Sequence, residues 1–135
     1  MAEKSLPKVN SIDRDFWQGA AQGKLLLQKC KKCSHLQFFP RATCTDCFSM
    51  DLDWVQASGR GTVHSFSLVQ VPRNPAFKED VPITYADIIL EEGVLMQSRI
   101  LGKDKEKVKI GSPVKVFFQE TQDPDIKLPV FELTN

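Results

Sequence analysis

The chain is poor in the residues that most often do chemistry. Among 135 residues there are two histidines, His35 and His64, and four cysteines, all between positions 30 and 47. No cysteine lies elsewhere to act as a nucleophile, and no motif pairs a serine with either histidine. Charge of one sign is also missing: 18 Lys and Arg face 17 Asp and Glu, for a net charge of +1. That near-neutrality argues against non-specific nucleic-acid binding as the main task. Long apolar runs are absent too, so nothing approaches the roughly 20 residues that cross a bilayer. The opening stretch, MAEKSLPKVNSIDRDFW, has no apolar centre of the kind that directs secretion. The expectation is a cytoplasmic chain without a membrane span. Thiols stay reduced in that compartment, so clustered cysteines point to metal rather than to disulfides.

What the sequence does have is CKKCSHLQFFPRATCTDC, residues 30 to 47: two C-x-x-C pairs separated by ten residues. Each pair can turn as a tight knuckle, and two facing knuckles offer four thiolates to one tetrahedral ion. The expected ligands of a closed, structural Zn²⁺ site are Cys30, Cys33, Cys44 and Cys47. Rubredoxin-like iron suits the same all-sulfur tetrahedron and is the nearest rival. A thioredoxin-type redox pair fits poorly, because KLLLQKC and DLDWVQA on the flanks read as strands. Ser34 and Phe48 follow the second cysteine of each pair, where such knuckles often carry glycine. Either the turns are strained or their geometry differs. His35 reads as a solvated loop residue, with a ligand role as the alternative. No acid occurs from residue 24 to residue 45, whereas Lys24, Lys29, Lys31, Lys32 and Arg41 do. Two readings of these cations stay open: an anion-facing surface, or a solvated face that offsets the charge of zinc held by four thiolates.

A helix is expected over residues 12 to 22, capped by Ser11 or Asp13 and stopped by Gly23, with Ile12, Phe16 and Ala20 on one face. Three turns of helix are unstable alone, so this one docks either on the chain or on a partner. After the ribbon come strand-like segments separated by turn signals: SGRGTVHSFSLVQV, which alternates, then ITYADIILEEG, VLMQSRILG, SPVKVFFQE and DIKLPVFEL. Five strands in about eighty residues suit a small barrel of the OB type. His64 lies in the first of them and reads as structural. The loop from Pro72 to Pro82, with Arg73, Phe77 and Lys78, is a candidate contact surface. The expected architecture is mainly β: an N-terminal helical segment (1–24), a rubredoxin-like zinc ribbon (25–57) and a C-terminal five-stranded OB-fold barrel (58–135).

In this order, FW, GKLLLQKCKKC, LQFFPRATCTDC, DLDWVQASGRGTVHSFSLV, PITYADIILEEG, KIGSPVKVFF and LPVFEL, the chain resembles the zinc-ribbon plus OB-fold accessory proteins of acyl-CoA metabolism. The resemblance runs from about residue 13 to the C-terminus. One member is the small subunit of the thiolase that cleaves benzoylsuccinyl-CoA. The resemblance implies a non-catalytic subunit in a hetero-oligomer whose obligate partner is a thiolase-like protein, or an enoyl-CoA hydratase or aldolase. It carries zinc over onto Cys30, Cys33, Cys44 and Cys47 and brings no catalytic residue. It also implies a coenzyme A thioester at the complex interface. For that elongated anion Arg60, Arg73 and the ribbon lysines are the candidate contacts. The alternative is a single-stranded nucleic-acid binding module, since ribbon and OB fold serve there as well. Phe38 and Phe39 beside Arg41 favour it, although neighbours on a strand point to opposite faces. An iron-bearing electron carrier is the third reading.

Overall fold

The computed structural model describes residues 8–70, 83–102 and 105–134; the loop carrying Arg73, Phe77 and Lys78 lies outside them. The helix α1 (Arg14–Ala21) is shorter than its sequence pattern. Asn10 sets its start. The Asn10 Oδ1 accepts the N–H groups of Ile12 and Asp13 at 2.8 and 3.1 Å, so residues 10–13 turn before the helix begins. Asp13 occupies the cap position, yet its carboxylate accepts the Asn10 N–H at 2.8 Å and makes no capping bond to the helix. Ile12 therefore lies outside the buried stripe and is 42% exposed, while Phe16, Trp17 and Ala20 are buried. Gly23 ends the helix as expected, with φ +80°. Its N–H reaches the Ala20 carbonyl, and the Lys24 N–H reaches that of Gly19, which satisfies the last turn.

The ribbon is a three-stranded antiparallel sheet, β2 (Leu36–Gln37), β1 (Leu26–Cys30) and β3 (Leu52–Gln56), in that order. Register places Cys30 opposite Leu52 at the knuckle end and Leu26 opposite Gln56 at the other. The barrel follows: β4 (Arg60–Val69), β5 (Ile83–Leu90), β6 (Leu95–Leu101), β7 (Pro113–Glu120) and β8 (Lys127–Leu133). The strands close in the order β4-β5-β6-β8-β7, with β6 and β8 parallel through Ile100 and Phe131. This is the expected five-stranded OB-like barrel. A bulge in β4 falls at His64, between the pairs Val63–Ile88 and Ser65–Asp87, and leaves the imidazole exposed. Among the described residues no helix is long and apolar enough to cross a membrane.

One core joins all three parts. Phe16, Trp17 and Ala20 from α1 and Leu25 and Leu27 from the ribbon cluster with Ile88, Ile100 and Phe131 from the barrel. The aromatic helix thus docks on its own chain, which resolves the choice the sequence leaves open.

At the start of β4 a side chain has no room. A Cβ on Gly61 would stand 2.5 Å from the Ile89 carbonyl oxygen and 2.9 Å from the Ile88 Cγ2. The nearer atom is backbone within the β4–β5 ladder, so relief requires strands to separate. Gly61→Ala is expected to destabilise the barrel by about 1–3 kcal/mol, read as a lower urea midpoint at unchanged m-value. An unchanged midpoint would contradict this packing.

Candidate metal centre and adjoining cleft

The two C-x-x-C segments make the same turn twice. The Ser34 N–H bonds the Cys30 carbonyl at 2.9 Å, and the Phe48 N–H bonds the Cys44 carbonyl at 3.0 Å. Ser34 and Phe48 both have φ +64°. The knuckles therefore keep their shape without glycine, at a conformational cost of about 1–2 kcal/mol each. Cys30 and Cys44 are buried, while Cys33 and Cys47 are exposed. All four sulfurs lie within 4.8 Å of one another, with Cys30–Cys47 at 3.5 Å and Cys33–Cys44 at 3.6 Å. Four thiolates around one tetrahedral Zn²⁺ stand about 3.8 Å apart, so the donor set fits a closed zinc site. The N–H groups of Asp46 and Cys47 point at the Cys44 Sγ from 3.3 and 3.4 Å. His35 is no part of this set; its Nε2 hydrogen-bonds the Thr45 hydroxyl at 3.0 Å, tying one knuckle to the other.

Without a metal these sulfurs do not ionise together. The Cys33 and Lys32 N–H groups and the neighbouring thiols draw Cys30 down to about 6, against the opposing pull of desolvation. The His35 N–H favours a thiolate at Cys33, but desolvation and the hydrogen bonds shared with Cys44, Cys47 and Cys30 outweigh it and push Cys33 up to about 12. At Cys47 the Ser49 N–H also favours the thiolate, yet the bond to Cys30 and desolvation leave it raised. A divalent cation is what allows four anions to share this space.

Two buried glutamines, which no motif marks, hold the segment between the knuckles. Gln28 of β1 treats residue 41 as a strand would: its Nε2 donates to the Arg41 carbonyl at 2.9 Å, and its Oε1 accepts the Arg41 N–H at 2.8 Å. Gln37 donates to that same Gln28 oxygen at 2.8 Å and accepts the Thr45 N–H at 2.9 Å. Both are about 95% buried, at 4% and 5% exposure. They supply the hydrogen bonds that a longer β2 would have supplied.

Phe38 and Phe39 leave this clamp side by side. They lie beyond the end of β2 at Gln37 and do not diverge as strand neighbours would. Their ring centroids lie 5.5 and 5.7 Å from that of Phe16, which meets Trp17 edge-on at 4.9 Å. These four rings form one wall of a cleft of about 1090 Å³. The barrel forms the other wall, with polar side chains already bonded to one another. Ser65 donates to Asp87 at 3.0 Å, Arg99 to Gln119 at 2.8 Å, and Ser98 to the Pro129 carbonyl at 2.8 Å. Of the predicted anion contacts, Arg60 is not at this cleft. It is exposed beside Lys115, its partner across β4 and β7, in a separate groove of about 540 Å³. Arg73 lies outside the described residues. The ribbon cations Lys24, Lys29, Lys31, Lys32 and Arg41 are all exposed. Lys31 stands 3.8 Å from Asp51, with both side chains more than half exposed, a pairing that adds little stability.

Residues 17–53 match the family model described as the ChsH2 rubredoxin-like zinc ribbon domain, and residues 54–119 match the ChsH2 C-terminal OB-fold domain. A scaffold protein of Methanothermobacter thermautotrophicus containing a DUF35 domain is 31% identical over 96 residues, covering 70% of this chain and 71% of that one. This chain belongs to the DUF35 family. A solved structure titled Ltp2-ChsH2(DUF35) aldolase contains a chain that superposes with a TM-score of 0.83 at 34% identity, across 95% of this chain and 98% of that one. Two larger relatives match this chain over part of their length. They are a probable enoyl-CoA hydratase alpha subunit of Thermomonospora curvata, 37% identical over 131 residues, and the 3-oxo-4,17-pregnadiene-20-carboxyl-CoA hydratase alpha subunit of Mycobacterium tuberculosis, 34% identical over 108. The matches cover 95% and 80% of this chain but only 40% and 34% of those subunits.

The glutamine clamp and the sulfur cluster each generate a test. Gln28→Ala removes both bonds to the residue-41 backbone and takes one of two acceptors from the buried Gln37 amide, which keeps the Thr43 carbonyl. It is expected to cost about 1–3 kcal/mol and to speed zinc loss to a chelator; wild-type release kinetics would remove the clamp from the account. Zinc uptake by the reduced, metal-free chain at pH 7 is expected to displace the protons of Cys33 and Cys47. Because binding releases protons, affinity rises with pH and zinc is lost on acidification. Calorimetry in buffers of different ionisation enthalpy measures the release, and buffer-independent heats would contradict it. Cys44→Ser, which removes a buried sulfur, should fail to retain zinc in either case.

Proposed function

We propose that this chain is a non-catalytic, zinc-stabilised subunit of a hetero-oligomer that processes acyl-CoA esters, and that it helps shape the ester site of a partner enzyme. The observation that carries this reading is the end-to-end match, 95% of this chain on 98% of the other, with a DUF35 chain of an aldolase complex. The two hydratase alpha subunits that match this chain over part of their length support CoA esters as the substrate class. For the partner we favour a thiolase-like enzyme that makes or cleaves a carbon–carbon bond, as the sequence resemblance implies, with aldolase and hydratase partners as the neighbouring possibilities.

The chemistry of the chain agrees with an accessory role. Its four cysteines are gathered in one metal-ligand set. His35 is tied to Thr45, and His64 stands exposed at a bulge. The cleft offers an apolar aromatic wall against a polar one, which suits an elongated ligand of mixed character. Arg60 and Lys115 together offer cationic side chains to a phosphate, and Arg73 remains a proposed contact alongside them. The nucleic-acid reading gains no support from Phe38 and Phe39, because both rings pack on Phe16.

The test is reconstitution. The chain is co-expressed with the CoA-ester enzyme that co-purifies with it, and turnover is measured for each part and for the complex. The expected result is a stoichiometric complex with CoA-ester turnover and none from the isolated chain. Turnover by the isolated chain, or its recovery with nucleic acid alone, would overturn the proposal.

A further inference from the structure

The barrel wall of the cleft holds two kinds of polar side chain. Asp87, Arg99 and Ser98 are bonded to Ser65, Gln119 and the Pro129 carbonyl, and these bonds fix the wall. Ser67, Tyr85 and Gln97 line the same cleft, and among the described residues nothing hydrogen-bonds their side chains. Register brings these three together. Ser67 stands opposite Tyr85 across β4 and β5. Gln97 is the diagonal neighbour of Tyr85 across β5 and β6, two residues from the direct partner Arg99. Tyr85, between the buried Thr84 and Ala86, and Gln97, beside the buried Met96, point away from the barrel core. The hydroxyl, the phenol and the carboxamide are all uncharged, and each both donates and accepts.

Charge sets the class of ligand. Among the described lining residues two acids, Asp87 and Glu120, face one cation, Arg99. A phosphate finds no surplus of positive charge here; Arg60 and Lys115 offer one in the separate groove. Exposed rings set the shape. Phe39 on the ribbon wall and Tyr85 on the barrel wall are 40% and 42% exposed, and both line the cleft. Flat ring systems stack on such surfaces. A rigid body also loses less freedom in a preformed cleft than a flexible chain does. At about 1090 Å³ the cleft has the size of pockets that enclose large organic ligands, not a short acyl chain.

We infer that this cleft receives the acyl end of the ester and selects an uncharged, oxygen-bearing cyclic group. The ring body lies against Phe39 and Tyr85, and its hydroxyl or keto oxygen bonds to the cluster of Ser67, Tyr85 and Gln97. The inference rests on the reading of the chain as a subunit of a complex that processes CoA esters, which makes the ligand an acyl group. The chemistry of the cleft supplies the rest.

The first experiment uses the zinc-loaded full chain with 2-naphthol, naphthalene, 2-naphthyl phosphate and 3′,5′-ADP, the last standing for the phosphate-bearing end of CoA. Binding is followed by NMR at the amides of residues 67, 85 and 97 and at the Gln97 carboxamide. The expected result is that 2-naphthol binds roughly 2- to 10-fold more tightly than naphthalene, the worth of one hydrogen bond, and that 3′,5′-ADP leaves these resonances in place. The triple variant Ser67→Ala, Tyr85→Phe, Gln97→Ala removes groups that bond nothing in the protein. It should keep the wild-type Tm and the affinity for naphthalene and lose the preference for 2-naphthol. No shifts with 2-naphthol, tighter binding of 2-naphthyl phosphate or 3′,5′-ADP at this cleft, or a preference that survives the triple variant overturns the inference. The second experiment measures KM in the active complex, where the triple variant should raise KM for the acyl-CoA ester by a similar factor. If the complex is active and that KM is unchanged, the cleft assignment fails and the subunit reading stands. If the chain selects 2-naphthol but assembles with no CoA-ester enzyme, the site for a cyclic ligand stands and the acyl-CoA reading fails.

Discussion

Four sulfurs within 4.8 Å of one another set the terms for the first half of this chain. Thiolates so close repel, and thiols so close hold their protons, as the opposite displacements of Cys30 and Cys33 indicate. Once a cation bridges them, residues 30–47 become a fixed frame. The frame tolerates left-handed backbone at Ser34 and Phe48. It also allows a two-residue β2, because Gln28 and Gln37 take over the hydrogen bonding that a longer strand would provide. A module with so few buried apolar residues of its own has no other source of rigidity of comparable strength.

That rigidity passes to the barrel through aromatic side chains. Phe16 is 1% exposed and touches rings from both sides, Trp17 on its own helix and Phe38 and Phe39 on the ribbon. The helix packs against the barrel as well, so the cleft wall is assembled from three parts of the sequence. Its shape depends on the clamp at residues 37–45, since a shift there carries Phe38 and Phe39 with it.

The four-sulfur cluster was legible in the sequence because ligand spacing is a local property, and no other cysteine competes for the role. The barrel was legible because five apolar segments of strand length are separated by turn signals. The helix stop at Gly23 was legible for the same local reason, whereas its start was misplaced: Asn10 captures two N–H groups before the helix begins, which puts Ile12 outside the apolar stripe. Gln28 and Gln37 were invisible, because a glutamine in a short strand reads as a solvent-facing residue until the loop it binds is placed. Asp87 and Arg99 were missed for a related reason. Which wall a strand residue faces follows from register and from the bulge at His64, and neither is written in the pattern. Arg60 was chosen for its charge, and charge alone gave no guide to which groove it would occupy.

The polar wall of the cleft bears on what kind of protein this is. Here the Asp87 carboxylate accepts from Ser65, the Arg99 guanidinium donates to Gln119, and the Ser98 hydroxyl donates to a carbonyl. Groups engaged in this way keep their positions and present a fixed pattern of dipoles. Such a surface is suited to orienting a ligand of mixed character. The same economy applies to the metal, since a four-sulfur site has no open position for substrate. Both sites hold the groups around them in fixed positions.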